Sequence, residues 1–382
     1  MFEPLTIEHL ARAGDDARIY CRPTAPIDRP HEWEGRCFRL SDSLIWFSAW
    51  QLSVRGADGP TRHAIVTADG VDAWLSAMPG ALAENARVQM AAVGAPRASL
   101  RLGERQIRLN EPQIVGILNA TPDSFSDGGK HVDVDAALAA AVAMTSAGAA
   151  IIDVGGESTR PGAPLLWEGD EWARVDALIR RLAATGAAIS IDTRKAMVME
   201  QALATGAAMI NDVSALAYDD RAVAVAAAAD VPVVLMHAPS QSSNPHDLTP
   251  IGGAYRDILF DVYDWFAAQI ARVTAAGVAR GNIILDPGIG FGKGVEDGLR
   301  LLNGLSLFHT FGCPIMVGGS RKRMIGALDN EAAVDQRLGG SVALHLIAAT
   351  QGAQLLRVHD IAETRQALRL WRGLRDSALI AI

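Results

Sequence analysis

The sequence predicts an α/β protein: a TIM (β/α)8 barrel preceded by a small N-terminal α+β unit. From about residue 113 onward, eight short apolar runs each end in a polar residue or a glycine turn, and a helical pattern rich in Ala and Leu follows each run. Continuous apolar strands that alternate with helices indicate a parallel sheet that is buried on both faces. Eight such units in one stretch of chain are typical of a closed barrel.

The predicted strands are IVGILN (114–119), AAIIDV (149–154), AAISID (187–192), AAMINDV (207–213), VPVVLMH (231–237), NIILDP (282–287), PIMVGG (314–319) and AQLLRVH (353–359). Between the first two, DVDAALAAAVAMTSAG (133–148) begins with Asp and ends with Gly, as helices do. An open, doubly wound sheet is the structural alternative, but it more often has fewer strands.

The chain divides into an N-terminal unit at 1–110 and the barrel at 111–382. The first part contains four of the eight Trp residues and alternating, strand-like stretches such as SLIWFSAWQLSV (43–54) and ASLRLGERQIRL (98–109). These patterns favour a small α+β fold. It shows no constellation of catalytic residue types.

Composition limits the classes of function. The formal net charge of −8 argues against nucleic acid as a partner. Three cysteines without C-x-x-C spacing argue against disulfides or a zinc site. The longest apolar run, 222–236, is interrupted by Asp230 and Pro232, and the N-terminus is not a secretory signal. We therefore expect a cytoplasmic protein with no membrane contact.

Polar side chains stand at the carboxyl ends of all eight predicted strands, where the active sites of TIM barrels lie. They are Asn119, Asp153, Asp192, Asn211 with Asp212, His237, Asp286, Ser320 with Arg321 and Lys322, and Arg357 with His359. The acidic members suit a metal cluster or a heterocycle rich in N–H donors. The basic members, expected on an opposite rim, suit phosphate. The set predicts a substrate with a donor-rich ring and an anionic tail.

Two long loops, 117–135 and 155–170, are rich in Gly, Ser, Pro and Asp, and we expect them to act as lids over the barrel mouth. The run DPGIGFGKG (286–294) fits neither the Walker pattern nor G-x-G-x-x-G. Its glycines instead let the backbone and Phe291 lie close to a flat ligand. We interpret this run as the wall of a heterocycle pocket.

These motifs resemble the dihydropteroate synthases. The resemblance covers about residues 113–372 and consists of ILNATPDSFSDGG, DVGGESTRPGA, ISIDT, INDVSAL, LMH, ILDPGIGFGK, VGGSRKRMIG and RVHD, in the order of that family. It implies a transferase that condenses 6-hydroxymethyl-7,8-dihydropterin diphosphate with 4-aminobenzoate. The products would be 7,8-dihydropteroate and pyrophosphate, in folate biosynthesis. It also implies Mg²⁺ as cofactor and a homodimer.

The resemblance also implies roles for residues. The pterin-binding set would be Asp153, Asp192, Asn211, Met236, Asp286, Phe291 and Lys322, with Lys322, Asp153 and Asp192 as the catalytic members. The diphosphate would be bound by Asn119, Arg357 and His359, and Asn119 would also bind the metal. The aminobenzoate pocket would consist of Phe125, Thr159, Arg160, Pro161 and Ser320.

Two other functions remain open. One is a methyltransferase barrel that binds methyltetrahydrofolate, which shares carboxylates and Asn at strand ends. The runs SRK (320–322), TPDSFSDGG (121–129) and RVHD (357–360) argue against it, since by the resemblance they would serve a diphosphate and a second substrate. The other is a non-catalytic pterin-binding protein, against which the complete set of polar strand ends argues.

The chain departs from the family pattern in two places. After LMH it reads APSQSSNPHDLTP (238–250), which leaves the role of that loop open. The first 110 residues lie outside the pattern altogether. TPDSFSDGG and STRPG look unmodified, so we expect sensitivity to sulfonamides, which imitate aminobenzoate.

Overall fold

Eight parallel strands, one from each predicted run, form a barrel in the computed structural model, which describes residues 3–56, 60–121, 133–158, 163, 165–238 and 255–380. The barrel strands are β8 (Gln113–Asn119), β9 (Ile151–Gly155), β10 (Ile189–Asp192), β11 (Met209–Asp212), β12 (Val233–Met236), β13 (Ile283–Asp286), β14 (Met316–Val317) and β15 (Leu355–Val358). Every pairing between them is parallel.

The sheet closes on itself. Its order runs β13-β12-β11-β10-β9-β8-β15-β14, and a parallel bridge between Leu285 and Ile315 joins the two outer strands. Closure leaves no free edge, so the open doubly wound alternative is wrong and the predicted TIM barrel is confirmed.

Helices follow the strands as predicted. Asp133 begins the first barrel helix by accepting a hydrogen bond from the Ala136 amide, and Gly148 ends it with φ of 115°. The barrel helices are α4 (Val134–Ala147), α5 (Glu168–Ala183), α6 (Ala196–Thr205), α7 (Ala222–Ala229), α8 (Ile258–Ala275), α9 (Val295–Asn303), α10 (Arg323–Leu328), α11 (Leu338–Thr350) and α12 (Ile361–Leu379).

The barrel interior has an apolar floor. One buried residue from each strand or its start contributes to it: Val115, Ile151, Ala188, Met209, Val234, Ile284, Met316 and Leu355. Because successive side chains alternate between faces, residues two or four positions later also point inward, at the mouth. This alternation decides which of the polar strand ends can meet.

A hairpin closes the barrel from below. Its strands are β6 (Leu100–Leu102) and β7 (Arg105–Ile107), and its apolar side chains belong to the same buried cluster as the floor. The hairpin falls within the predicted N-terminal unit, 1–110, but packs as part of the barrel. The patterned stretch 98–109 therefore reflects two strands that cover the floor.

The rest of the N-terminal unit is a mixed sheet with helices on one face. The sheet has the order β1-β5-β4-β2, and β3 pairs with β4. Its elements are β1 (Glu3–Pro4), α1 (Ile7–Ala11), β2 (Arg18–Ile27), β3 (Phe38–Arg39), β4 (Trp46–Arg55), β5 (Arg62–Thr67), α2 (Val71–Ala77) and α3 (Gly80–Gly94). An apolar core of its own contains Trp50 and Leu52, which confirms the predicted α+β character.

The opposite face of this sheet packs on barrel helix α8. Tyr20 of β2 is 1% exposed, and its ring centroid lies 4.4 Å from that of Phe260 and 5.2 Å from that of Tyr263. Its hydroxyl donates to Asp264. Arg55 of β4 pairs with both Asp261 and Asp264 of the same helix. The contact thus combines aromatic packing with partly buried ion pairs.

In the part of the chain that the structure describes, no helix has the length and apolarity needed to cross a membrane.

The buried position of Tyr20 predicts that the N-terminal sheet and the barrel unfold together. Tyr20→Ala removes the ring between Phe260 and Tyr263, so we expect a loss of about 3–5 kcal/mol in the free energy of unfolding. Urea unfolding followed by far-UV circular dichroism should show one transition, shifted as a whole. A shift confined to one of two separate transitions would contradict this prediction.

Candidate functional site

Three charged side chains form the centre of the barrel mouth. Asp153 and Arg357 lie two positions beyond the floor residues Ile151 and Leu355, and Asp192 lies four beyond Ala188. Arg357 donates from Nε to Asp153 Oδ2 and from Nη2 to Asp192 Oδ2, each over 2.6 Å. The sequence predicted Arg357 on a rim opposite the carboxylates, and this was wrong. The barrel closes β15 against β8, which places its guanidinium between the two acids.

Two further inward-facing polar residues complete the mouth. Asn211 donates from Nδ2 to Asp153 Oδ2 over 3.0 Å. Asp286 accepts the Gly288 amide at Oδ1 over 2.8 Å. Among the described residues, Asp153 Oδ1 is a buried acceptor with no hydrogen-bond partner. A ligand with an N–H group can satisfy this oxygen.

Burial governs the charges here. It raises the pKa of Asp192 to about 7, against the opposing influence of Arg357. It also raises the pKa of Asp286, against Lys322. Burial opposes the charge of Arg357 as well, but Asp153 and Asp192 outweigh it and raise the pKa of the guanidinium. The mouth therefore holds one firmly charged cation and carboxylates that a donor-rich ligand can stabilise.

Lys322 lies beside the turn that follows β13. Its ammonium donates to the carbonyl of Ile289 and lies 4.1 Å from the centroid of the Phe291 ring. Burial lowers its pKa to about 7, with Asp286 opposing and Arg357 reinforcing the shift. A Cβ at Gly290 would come within 2.7 Å of Lys322 Cδ, so the turn needs glycine to admit this side chain.

Three of the basic or hydroxyl residues predicted for the rim lie around the ends of β14 and β15. Ser320 is buried, and its Oγ accepts the His359 amide over 3.4 Å. Arg321 instead pairs with Asp360 and is 41% exposed. Its guanidinium therefore binds at the rim of the mouth and not to the carboxylates of Asp153 and Asp192.

Two predicted strand-end residues face away from the mouth. Asp212 follows the inward-facing Asn211, so alternation directs it outward, where it accepts the Ser214 amide, the Ser214 hydroxyl and the Leu216 amide. His237 follows Met236 and packs edge-on against Trp265, with ring centroids 4.8 Å apart. Their inclusion among the converging side chains was wrong, because every strand exposes successive residues to opposite faces.

Asn119 is the last residue of β8 and has the same parity as the floor residue Val115. Its side-chain amide has no hydrogen bond to another described residue. Within the described ranges, no group of three His, Cys, Asp or Glu side chains could hold a metal ion.

Several predicted site residues lie outside the described part of the chain. Phe125, Thr159, Arg160 and Pro161 belong to this group, as do most of the loop at 117–135 and all but one residue of 238–250. Their placement in an aminobenzoate pocket stays a prediction.

A buried ion network that the sequence did not predict lies just outside the mouth. Glu157 accepts from Arg194 Nη2 over 2.7 Å, and Lys195 lies 3.1 Å from Glu157 and 2.5 Å from Glu171. Glu157 also accepts the Leu166 amide over 2.9 Å. Burial favours the protonated form of Glu157, but the hydrogen bonds from Arg194 and Leu166 outweigh it. The net pKa of Glu157 therefore lies below its ordinary value. Two acids and two bases that follow neighbouring strands were the only signal for this network in the sequence.

The ion pairs of Arg357 predict a pH-dependent loss of stability in Arg357→Ala. The side chain is only 19% exposed, and its removal leaves two neighbouring carboxylates without a cation. We expect a loss of about 3–5 kcal/mol near pH 8. The folded-state pKa of Asp192 is already raised and rises further in the variant. The variant's deficit in the free energy of unfolding therefore shrinks as the pH falls from above 8 through the wild-type pKa of about 7, because the variant's carboxyl is protonated first.

The matched control is Arg321→Ala, which removes a more exposed guanidinium from a single carboxylate and should cost about 0–1 kcal/mol. Chemical denaturation at pH 8 and at pH 5 measures the free energy of unfolding of each variant against the wild type. An equal deficit at pH 8 and pH 5 would contradict the prediction.

Comparison with known proteins identifies the family of this chain. The profile of the pterin-binding enzyme family matches residues 115–359. The dihydropteroate synthase of Escherichia coli K12 is 44% identical over 263 residues, which are 69% of this chain and 91% of that protein. The Xanthomonas albilineans dihydropteroate synthase solved with 4-aminobenzoic acid has a TM-score of 0.68 and 42% identity, covering 73% of this chain and 98% of that one.

A third relative is the Yersinia pestis dihydropteroate synthase solved as a sulfonamide drug complex. It has a TM-score of 0.67 and 43% identity, covering 73% of this chain and 99% of that one. The chain therefore belongs to the dihydropteroate synthase family of pterin-binding enzymes.

Proposed function

We propose that the barrel mouth condenses 6-hydroxymethyl-7,8-dihydropterin diphosphate with 4-aminobenzoate to give 7,8-dihydropteroate and pyrophosphate. The observation that carries the proposal is the set of donors and acceptors in one mouth: the buried Asp153, Asp192, Asn211 and Asp286, with the half-buried Lys322. Such a set matches the mixed donor and acceptor edges of a pterin. Membership of the family supports the same reaction.

The pterin ring has amino and ring N–H donors along its pyrimidine side. Asp286 and Asn211 bind the amino-pyrimidine edge in this proposal, and Lys322 donates to the ring carbonyl. Asp192 and the partnerless Oδ1 of Asp153 accept from the remaining N–H groups. A carboxylate that pairs with an N–C–N edge makes charge-assisted hydrogen bonds, which are about twice as strong as neutral ones.

Two apolar side chains provide the flat walls of the pocket. Met236 is buried at the inward-facing end of β12, and Phe291 lies on the turn after β13. With Lys322 against the Phe291 ring, the same wall offers both a face for stacking and a hydrogen-bond donor.

Arg357 connects the pterin end to the diphosphate end. Two of its nitrogens bind Asp153 and Asp192, whereas Nη1 has no partner among the described residues and can donate to a phosphate oxygen. His359 and Asn119, also at carboxyl ends of strands, complete the diphosphate end of the proposed site. These groups stabilise the negative charge that develops on the departing oxygens.

The chemistry requires little proton transfer from the protein. As the C–O bond to the diphosphate breaks, positive charge develops on the exocyclic methylene and is delocalised into the electron-rich ring. The carboxylates that hold the ring favour that charge electrostatically. The amine of 4-aminobenzoate then attacks the methylene carbon and afterwards releases a proton.

Mg²⁺ is part of the proposal. Asn119 would hold it through the amide oxygen, together with diphosphate oxygens and water. The ion would supply charge neutralisation of the leaving group.

Ser320 is the one described member of the proposed aminobenzoate pocket. The other members, Phe125, Thr159, Arg160 and Pro161, are assigned by their motifs. The Ser320 hydroxyl accepts the His359 amide, so the second substrate would approach beside the residues proposed to bind the diphosphate.

We propose a cytoplasmic homodimer, with residues 1–110 as a structural extension and 111–382 as the catalytic unit. Leu370 and Leu374 support a dimer surface on α12, because they lie one turn apart and are 69% and 62% exposed. By its packing, the β6–β7 hairpin joins the catalytic unit, so the extension proper ends before residue 100.

The methyltetrahydrofolate alternative is not favoured, because the similar proteins are dihydropteroate synthases over nearly their whole length. A non-catalytic pterin-binding protein is the other alternative. The presence of Asp153, Asp192, Asn211, Asp286 and Lys322 in one mouth accounts for pterin binding under both functions, so product formation distinguishes them.

Pyrophosphate release tests the reaction. With Mg²⁺ and the dihydropterin diphosphate, release should depend on 4-aminobenzoate, and dihydropteroate should form in equal amount. Asp192→Asn should weaken pterin binding by about 2–3 kcal/mol, because an N–H group of the ligand loses its charged acceptor. Asp212→Asn is the matched control, since that buried carboxyl faces outward, and it should bind pterin normally. Tight pterin binding without any release would favour the non-catalytic alternative.

Sulfonamide inhibition tests the aminobenzoate pocket. We expect a sulfonamide to compete with 4-aminobenzoate, since both present an aromatic amine opposite an anionic or polar group. Steady-state rates at rising 4-aminobenzoate should recover fully from inhibition. Activity that a saturating sulfonamide leaves unchanged would count against the proposed pocket.

A further inference from the structure

Lys293 lies near the end of the glycine-rich turn between β13 and α9, a run that fits neither nucleotide-binding pattern. Its ammonium is already committed to the backbone. Nζ donates to the carbonyl oxygens of His237, Gly288 and Phe291 over 2.8, 2.9 and 3.0 Å. An ammonium has three hydrogens, so these three acceptors use all of them. The side chain therefore binds no phosphate.

The three carbonyls belong to two neighbouring parts of the barrel. His237 follows β12, whereas Gly288 and Phe291 lie on the turn after β13. One ammonium thus joins the end of one strand to the turn of the next. The approach is close, because a Cβ at Gly288 would lie 2.1 Å from the His237 oxygen, and Gly288 has φ of 64°. Only glycine fits there.

The same turn holds three of the residues proposed to bind the pterin. Its Gly288 amide donates to Asp286 Oδ1 over 2.8 Å. Its Ile289 carbonyl accepts from the Lys322 ammonium, which lies 4.1 Å from the centroid of the Phe291 ring. A displacement of the turn would move the wall, the carboxylate and the ammonium of the pocket together.

The three carbonyl acceptors of Lys293 favour its protonated form, against the effect of burial. Burial and the neighbouring Lys322 lower its pKa, whereas its three carbonyl acceptors are satisfied in full only by the protonated ammonium. Without this cation, the oxygens of His237 and Gly288 would face each other with no shared donor. Partial negative charges that close repel, so the turn would move away from β12.

We propose that Lys293 is a positioning residue for pterin recognition: it fixes the turn that carries Phe291 and orients Asp286 and Lys322. This inference rests on the proposed pterin role of those three residues. Lys293 itself touches no reacting atom. Its effect is expected on the affinity for the pterin and not on the affinity for 4-aminobenzoate.

Lys293→Met tests the proposal, because it keeps the unbranched stem and removes the ammonium. Arg97→Met is a matched control. Arg97 is also a buried cation with three backbone acceptors, the carbonyls of Ala92, Ala95 and His309, but it lies where the N-terminal unit meets the 3₁₀ helix Leu305–Phe311. Both variants should lower the melting temperature. Lys293→Arg keeps a charged donor and serves as the conservative variant.

The readouts are the Kd of 6-hydroxymethylpterin by calorimetry and the KM of each substrate. In Lys293→Met, we expect the Kd and the KM for the pterin diphosphate to rise about 10-fold or more, since small displacements of a site are costly. The KM for 4-aminobenzoate should stay within about 2-fold. Arg97→Met should leave all three constants unchanged, and Lys293→Arg should give intermediate values.

A Lys293→Met protein that is less stable but binds the pterin like the wild type would overturn the proposal. Equal effects of Lys293→Met and Arg97→Met on the Kd would do the same. If Lys293→Met does not fold, the Kd of 6-hydroxymethylpterin is compared between Lys293→Arg and Arg97→Met instead. Equal Kd values in these two variants would then overturn the proposal. Wild-type protein that does not bind 6-hydroxymethylpterin would instead contradict the proposed function, so the two failures are distinguishable.

Discussion

The ion pairs of Arg357 with Asp153 and Asp192 are the interaction on which the site depends. These three charged groups form the centre of the barrel mouth, and none of them could be buried alone without a large loss of solvation. Arg357 comes from the last strand, whereas the two acids come from the second and third. The pairs therefore form only when the barrel has closed, which links the completion of the fold to the assembly of the site.

Two further networks of charged side chains support the segments around this centre. Lys293 and Lys322 bind carbonyls of the turn after β13, and Glu157 with its partners links the segments that follow β9 and β10. Each network joins parts of the chain that follow neighbouring strands. In a parallel barrel these parts leave the sheet at the same end, so charged side chains placed just after the strands are well placed to join them.

The contact that joins the N-terminal unit to the barrel differs from the apolar cores of the two parts, because it includes ion pairs. Tyr20 packs against aromatic rings of α8, while Arg55 and Tyr20 bind the carboxylates of Asp261 and Asp264. The helix thus faces the barrel sheet on one side and the N-terminal sheet on the other. Similar dihydropteroate synthases match about seven tenths of this chain, so the extension is additional to the part that carries the site.

The sequence by itself determined the barrel and the polar character of its mouth. Apolar runs such as IVGILN and NIILDP, each followed by a helical pattern, are typical of a parallel sheet buried on both faces, and their number predicted eight strands. It also placed Asp153, Asp192, Asn211 and Asp286 at the ends of strands. The pattern did not resolve which end residues face inward, because a buried run is apolar on both faces and carries no alternation to read.

Tertiary structure decided the rest. The register of the closed barrel directed Asp212 and His237 outward and brought Arg357 between two carboxylates, a contact that spans more than 160 residues of chain. The boundary of the N-terminal unit was also decided by packing, because the hairpin at 100–107 contacts a floor that exists only when all eight strands have met. The partners of Lys293 are backbone carbonyls, which every residue has, so no sequence pattern could identify them.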